Sequence, residues 1–585
     1  MRALKTARPI VVILVLAAVL RFAALDSGDV ISDEAFYAFR SVGYLDFLFA
    51  PDQPTPIELL NARPAWTYLS FHDAPPLAFL VQGAAFKVFG ENLWGMRIAF
   101  ALAGLGSVWL VYLIGRRLAP YKSLRDSTGL ADEKTGLAAA TVMAILTPAV
   151  WVSRIGLLES FVIFFELVAV WAFLWALDER PRNRSDHYNI LVYYSGLLWV
   201  RWGLVGVAMG LAFLTKYTAF VLVPIFLGWL TWERRSRDFK GLALACALAA
   251  ALFSPVIIYN VKLFQTVGHF DLQFSYLLGQ TTPEWQNLMG KEEIGTWVER
   301  LKRIGPRFVD ATSPVAAAAF VVAVAASLAF LRRAQRSKSQ PDRFLMLAMG
   351  LVAFSFLVIG PTLRFLVTAA PWLALLMGVW LGRIPRGLVW KFAFVLAAVE
   401  LAYSMNTSLL APARGTARLA FSPLAYDRYP WGYNELEAFL ERRLAGVRPA
   451  VTIKTRYGFI DDLGVAGIAR ARAKGAKPLA LLIIYDDSLS DKAMLWSLHR
   501  RLVYRGWPIM AASSYEQTLA ARGQDFFSQQ GLKRFLFIQG ENDILRSPGS
   551  PEPNRKLAAD LSARGVQPHA ITAAGGTPRL TVWEF

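Results

Sequence analysis

The chain is poor in cysteine, in charge and, above all, in acid. Its single cysteine among 585 residues, Cys246, lies inside an apolar run. An intrachain disulfide and a cysteine-based zinc cluster are therefore both excluded, and any export to an oxidising space relies on other means of stability. Charged residues make up 18% of the chain against 55% hydrophobic ones, and the mean hydropathy is +0.39. A soluble domain needs no such apolar excess, so lipid is part of this protein's solvent. Acid is scarcer than base, 43 Asp and Glu against 62 Lys and Arg, for a net charge of +19. Such a balance fits nucleic acid or a membrane surface, but the basic residues fall mainly in short connections between apolar runs. That placement is an orientation signal rather than a nucleic-acid footprint.

What is present is a series of long apolar stretches. About eleven of them approach the roughly 20 residues that cross a hydrocarbon core about 30 Å thick: 9–25, 93–115, 136–152, 157–177, 197–214, 217–232, 242–259, 312–331, 344–360, 363–381 and 388–406. The connections between them alternate in charge. Basic ones hold Arg2, Lys5 and Arg8, then Arg116 and Arg117, then Arg234, Arg235 and Arg237, then Arg332 and Arg333, then Arg383. The short turns on the other side carry almost no base apart from Arg154, Lys216 and Arg364. By the positive-inside rule the N-terminus is cytoplasmic, and 26–92, 260–311 and 408–585 are outside. The start of the chain has no convincing small-residue cleavage site, so 1–25 reads as a retained first span. Nineteen Trp and thirty-nine Phe suit bundle interiors and headgroup belts.

After residue 408 the character changes. Short β-like runs at 479–485, 535–539 and 580–585 alternate with charged, helix-like stretches such as 491–504, which predicts a small α/β domain. The expected fold is thus a polytopic α-helical membrane protein, with interfacial helices in its first outer loop and a C-terminal soluble α/β domain. Its parts are a membrane domain, 1–407, and an extracytoplasmic domain, 408–585.

The first outer loop opens with Ser32-Asp33-Glu34-Ala35-Phe36-Tyr37. Two adjacent carboxylates can act as base and orienter or hold a divalent cation, although a helix N-terminus also favours such a pair. Further on, His72 and Asp73 precede Pro75-Pro76, which start a helix too short to span, 77–89. Arg154 and Glu159 sit at the outer end of a helical hairpin, where the plainer reading is an ion pair with each other. Lys216 and Arg364 could simply snorkel to headgroups. Arg21 ends the first span at similar depth. Taken together, these cations suit a phosphate, and the carboxylates suit deprotonating a hydroxyl.

The order of these pieces resembles the C-type glycosyltransferase superfamily (GT-C), in its branch of protein O-mannosyltransferases and aminoarabinose lipid A transferases. It is carried by Arg21, Asp33-Glu34 with Tyr37, Asp73-Ala74-Pro75-Pro76-Leu77, Phe89-Gly90-Glu91-Asn92 leading to Arg97, Arg154 to Glu159, the run up to Lys216, and Arg364-Phe365 before Pro371. Two departures stand out: Ala74 where relatives often carry His or Lys before the prolines, and Glu159 where many have Asp. The resemblance implies inverting transfer of a sugar from a polyprenyl-phosphate donor to a lipid, glycan or protein hydroxyl at the outer face of a prokaryotic plasma membrane. In that scheme Asp33 is the base and Glu34 supports it; Arg154, Lys216, Arg364 and Arg21 face the donor phosphate; Tyr37, His72, Asp73 and Glu159 support the site or the acceptor. A divalent metal on Asp33, Glu34 and His72 is a further expectation. The competing class is a transporter or flippase using the same cations without chemistry, against which stand the lack of inverted repeats and the position of the charges near one surface. A non-catalytic scaffold is the third.

Overall fold

The computed structural model describes residues 2–43, 73–119, 130–177, 189–280, 295–333, 340–385, 387–455, 458–541, 544, 551–573 and 576–585. His72 and most of the first outer loop lie outside these residues. The chain divides into two compact units, one of residues 1–26 and 44–425, the other of residues 27–43 and 426–585. This differs from the expected boundary at 407/408 in two ways. The stretch 408–425 clusters with the membrane unit, and the segment bearing Asp33 and Glu34 clusters with the C-terminal one.

In the membrane unit, every apolar stretch read from the sequence coincides with a helix or with a bent helical pair. Among the described residues six helices are long and apolar enough to span: Leu93–Arg117, Leu158–Ala176, Ser236–Gln265, Pro314–Arg333, Gln340–Ile359 and Leu363–Arg383. A seventh candidate is broken, Glu133–Ile145 and Thr147–Ser153 meeting at 61°. Pro9–Phe22, Leu198–Phe213 and Tyr217–Trp232 are shorter apolar helices, and Leu388–Ser408 is helical throughout. The short helix after the two prolines is present as Leu77–Phe89.

The broken pair explains several buried charges. Leu146 is extended at the break, and Pro148 opens the second segment. A break in an apolar environment frees backbone groups that no water can satisfy. On one side of it Arg21 donates to the carbonyls of Met143 at 3.2 Å and Ala144 at 3.1 Å. On the other, Glu400 Oε1 accepts from the backbone N–H and the hydroxyl of Thr147, both at 2.8 Å. The other oxygen of Glu400 accepts from Ser313, whose hydroxyl in turn caps Ala316 N.

The second unit is built on a five-stranded sheet. β1 (Val447–Pro449) and β2 (Lys477–Leu479) form a separate parallel pair. β3 (Leu481–Tyr485), β4 (Ile509–Ala511), β5 (Arg534–Gly540), β6 (Pro568–Thr572) and β7 (Pro578–Glu584) follow in the spatial order β4-β3-β5-β7-β6. β3 pairs in parallel with β4 and β5, while β7 runs antiparallel to β5 and β6. Side chains alternate across a strand, and the two faces carry separate cores. Leu481, Ile483, Leu536 and Ile538 pack under the Tyr433–Arg443 helix. Leu482, Ile484 and Phe537 pack with Leu519 and Leu561 on the other side.

Candidate active site

Three of the residues singled out from the sequence converge in the membrane unit. Glu159 lies in the first turn of Leu158–Ala176, where the helix dipole favours a carboxylate. Its side chain is 1% exposed. Lys216 precedes a 3-10 turn, Tyr217–Val221, with extended backbone that sends the chain back toward the bundle. Arg364 lies in the short helix Leu363–Leu366, N-capped by Thr362. Both cations reach the same atom: Lys216 Nζ donates to Glu159 Oε1 at 2.5 Å and Arg364 Nε lies 3.0 Å from it. The Phe365 ring lies under both, its centroid 4.4 Å from Lys216 Nζ and 5.2 Å from Arg364 Cζ. Neither cation snorkels alone, and Glu159 pairs with them rather than with Arg154.

The cluster opens on a small cavity. Glu159, Lys216, Thr218, Phe365 and Thr368 line one part, and Val352, Phe356 and Ile359 give it an apolar wall. Glu159 Oε2 and Thr218 Oγ1 are buried without a hydrogen-bond partner among the described residues. Two cations meet on one carboxylate here, and a guanidinium beside an ammonium suits an anion such as phosphate.

Reasoning from the sequence missed Glu166, which lines the same cavity and is 4% exposed. It lies seven residues after Glu159, so the two share a helix face about 10 Å apart. An isolated acid in so apolar a run was the available signal. A second unforeseen group is Asp271. Its Oδ2 accepts from Tyr217 Oη at 2.5 Å and Asn260 Nδ2 at 3.0 Å, while its Oδ1 caps Gln273 and Phe274. Burial pushes its carboxyl up to about 6. Asp73, expected as site support, acts electrostatically on Tyr217, and the turn after it is tied down by Leu77 N donating to Leu214 O at 3.0 Å.

Two expected phosphate ligands face elsewhere. Arg154 is fully buried and gives four hydrogen bonds to backbone carbonyls: Nε to Ser408, Nη1 to Leu20, and Nη2 to Ala23 and Ala24, all at 2.7–2.9 Å. The last carbonyls of a helix lack internal partners, and the guanidinium fork satisfies those at the ends of the first helix and of Leu388–Ser408. Arg21 is equally buried on the carbonyls of the broken span. These two arginines tie helix ends together and are fully buried. Arg97 does similar work, donating to Leu25 O at 2.9 Å.

Asp33, Glu34 and Tyr37 sit on the Ser32–Gly43 helix of the other unit. Glu34 and Tyr37 are buried, at 2% and 3% exposure, so the surface that an acceptor could touch is not theirs. Asp33 stays 19% exposed, and Lys492 Nζ donates to its Oδ1 at 2.5 Å. Among the described residues no three His, Cys, Asp or Glu side chains gather as metal ligands, and His72 lies outside them. The Lys492 ammonium thus engages one of the two Asp33 oxygens.

Among the described residues, six helices long and apolar enough to cross a membrane and a C-terminal α/β unit belong to a chain similar in sequence to lipid-phosphate-dependent sugar transferases. Residues 73–259, which include Glu159, Glu166 and Lys216, match the dolichyl-phosphate-mannose-protein mannosyltransferase family. The chain is 29% identical over 197 residues to an undecaprenyl phosphate-alpha-4-amino-4-deoxy-L-arabinose arabinosyl transferase of Pseudomonas fluorescens, and 31% over 194 residues to one of Pseudomonas aeruginosa. Those matches cover 33% and 32% of this chain and 30% of each relative. The structure is similar along nearly the whole chain to ArnT of Cupriavidus metallidurans bound to undecaprenyl phosphate, with a TM-score of 0.52 at 15% identity, covering 98% of this chain and 97% of that one.

Proposed function

We propose that this chain transfers a sugar from a polyprenyl-phosphate donor to an acceptor hydroxyl, with inversion, at the outer face of a prokaryotic plasma membrane. The N-terminus is then cytoplasmic and the C-terminal unit extracytoplasmic. The observation that carries the reading is the convergence of Lys216 and Arg364 on Glu159 at the mouth of a cavity. Glu159 holds the two cations together, and they bind the donor phosphate. In the reaction Asp33 takes the proton of the acceptor hydroxyl. The acceptor oxygen forms its bond to the anomeric carbon as the bond from that carbon to the phosphate oxygen breaks. Polyprenyl phosphate leaves with the electron pair, and the cations stabilise the charge that develops on it. Relatives named for transfer from undecaprenyl phosphate, and a like-folded protein solved with that lipid bound, support the choice of donor class.

The test uses purified full-length protein with undecaprenyl phosphate carrying mannose or 4-amino-4-deoxy-L-arabinose, offered with lipid A, glycan and peptide acceptors. Release of undecaprenyl phosphate is followed by mass spectrometry. Lys216→Ala is expected to lower turnover about a hundredfold, and Asp33→Asn to abolish it while donor binding persists. Movement of intact lipid-linked sugar across vesicles without cleavage would replace this reading with that of a carrier.

A further inference from the structure

The Ser32–Gly43 helix is fastened at both ends into the C-terminal unit. Before it, Arg428 Nη2 donates to Ser27 O at 2.8 Å and to the Ser27 hydroxyl at 2.6 Å, and Asn434 Nδ2 donates to Gly28 O at 2.8 Å. Asp29 accepts from the backbone of Tyr433 and Asn434. Gly28 has φ +79°, and a Cβ there would lie 2.8 Å from that of Arg428, so the close approach requires glycine. Toward the other end, Tyr504 Oη donates to Phe39 O at 3.0 Å and its ring lies 5.4 Å from that of Phe39. Ser32, immediately before Asp33, has φ +55°, a conformation that a serine adopts only when its surroundings impose it.

Into this frame the C-terminal unit sends one further group. Lys492 stands on the short helix Asp491–Met494, just before a π-helical turn, Leu495–His499, of the kind found often at functional sites. Leu495, Trp496 and Leu498 are buried and fix that segment against the core. Lys492 itself is half exposed, yet its Nζ lies 2.5 Å from Asp33 Oδ1. An ion pair with so wet a partner contributes little to stability.

We infer that Lys492 is a positioning residue for Asp33, an ammonium through which the C-terminal unit sets the orientation of the carboxylate that receives the acceptor's proton. The inference rests on the reading of Asp33 as the base. It makes the C-terminal unit part of the transfer machinery, where the sequence offered no constellation in that domain.

The experiment uses full-length protein, the donor and acceptor panel described above, and the variants Lys492→Met, Lys492→Arg, Asp33→Asn and the double variant Asp33→Asn with Lys492→Met. Lys556→Met, at an exposed pair with Glu516 in the same unit, serves as the control that keeps wild-type turnover. Lys492→Met is expected to lower kcat about tenfold or more, on the scale of a misplaced acid–base group, with the donor KM and the thermal unfolding profile unchanged. Lys492→Arg restores most of the loss, and the double variant is as inactive as Asp33→Asn alone, with donor binding still retained. Wild-type kcat in Lys492→Met together with an inactive Asp33→Asn overturns the inference and leaves the base assignment standing. An active Asp33→Asn removes the base assignment and the inference with it. A fall in kcat that Lys492→Arg does not rescue and that tracks a lower unfolding temperature marks Lys492 as structural only and also overturns it.

Discussion

Glu159 shows how one buried carboxylate organises a site. With Lys216 and Arg364 both on Oε1, removing the acid leaves two cations facing each other across a partly apolar cavity. Glu159→Ala is therefore expected to raise the donor KM and lower stability together. Glu159→Gln, which keeps an acceptor oxygen, is expected to spare stability more than activity; donor titration and thermal unfolding of both variants separate the two effects. Asp29 offers a second single-residue test. Burial pushes its carboxyl from 3.8 up to about 6, against the opposing effect of the backbone N–H groups of Tyr433 and Asn434. A proton held more tightly in the folded state favours folding in acid, and that contribution is lost as pH rises through about 6. Relative to Asp29→Asn, the wild type should thus lose stability between pH 4 and 6, measured by unfolding at fixed detergent; a flat difference would contradict the burial argument. The sequence marked Lys216 and Arg364 because each broke the local charge rule, and Glu159 because it is an ionisable residue at the end of a span. It could not separate them from Arg21 and Arg154, because a buried guanidinium suits a phosphate and a row of helix-end carbonyls equally well.

At the scale of the element, the apolar stretches were legible because hydropathy and length report burial in lipid directly. The break between Ile145 and Thr147 was not legible, since hydropathy is blind to which backbone bonds are made. Only the structure shows that Arg21 and Glu400, from helices far apart in sequence, satisfy its two sides. Glu400→Ala leaves the Thr147 N–H and two hydroxyls without this acceptor, at a cost of about 1–3 kcal/mol for each buried group left unsatisfied. A clear fall in unfolding temperature is expected, with a smaller one for Glu400→Gln. Equal stability of Glu400→Ala and wild type would mean that the break is satisfied some other way. Three strands of the C-terminal unit, β3, β5 and β7, were placed to within a few residues, because runs such as Leu481–Tyr485 are continuous apolar segments bounded by turns; β1, β4 and β6 were not read from the sequence.

For the whole molecule, the least legible fact is that the second unit is assembled from two separated pieces of chain. No local pattern in 27–43 announces partners some 400 residues away; Arg428 and Ser27 are 401 residues apart. Expressed alone, residues 426–585 should lack the packing that Ile31 and Phe39 supply and should unfold at lower denaturant concentration than a fusion that restores 27–43. Indistinguishable unfolding curves would refute the division.

This split arrangement also imposes an order in time. The helix bearing Asp33 leaves the ribosome some 400 residues before the segments that hold it, around Arg428, Tyr433, Lys492 and Tyr504. During synthesis the carboxylate therefore waits without these anchors until those segments have been made. A product stalled before them keeps its apolar helices yet leaves that carboxylate without its scaffold.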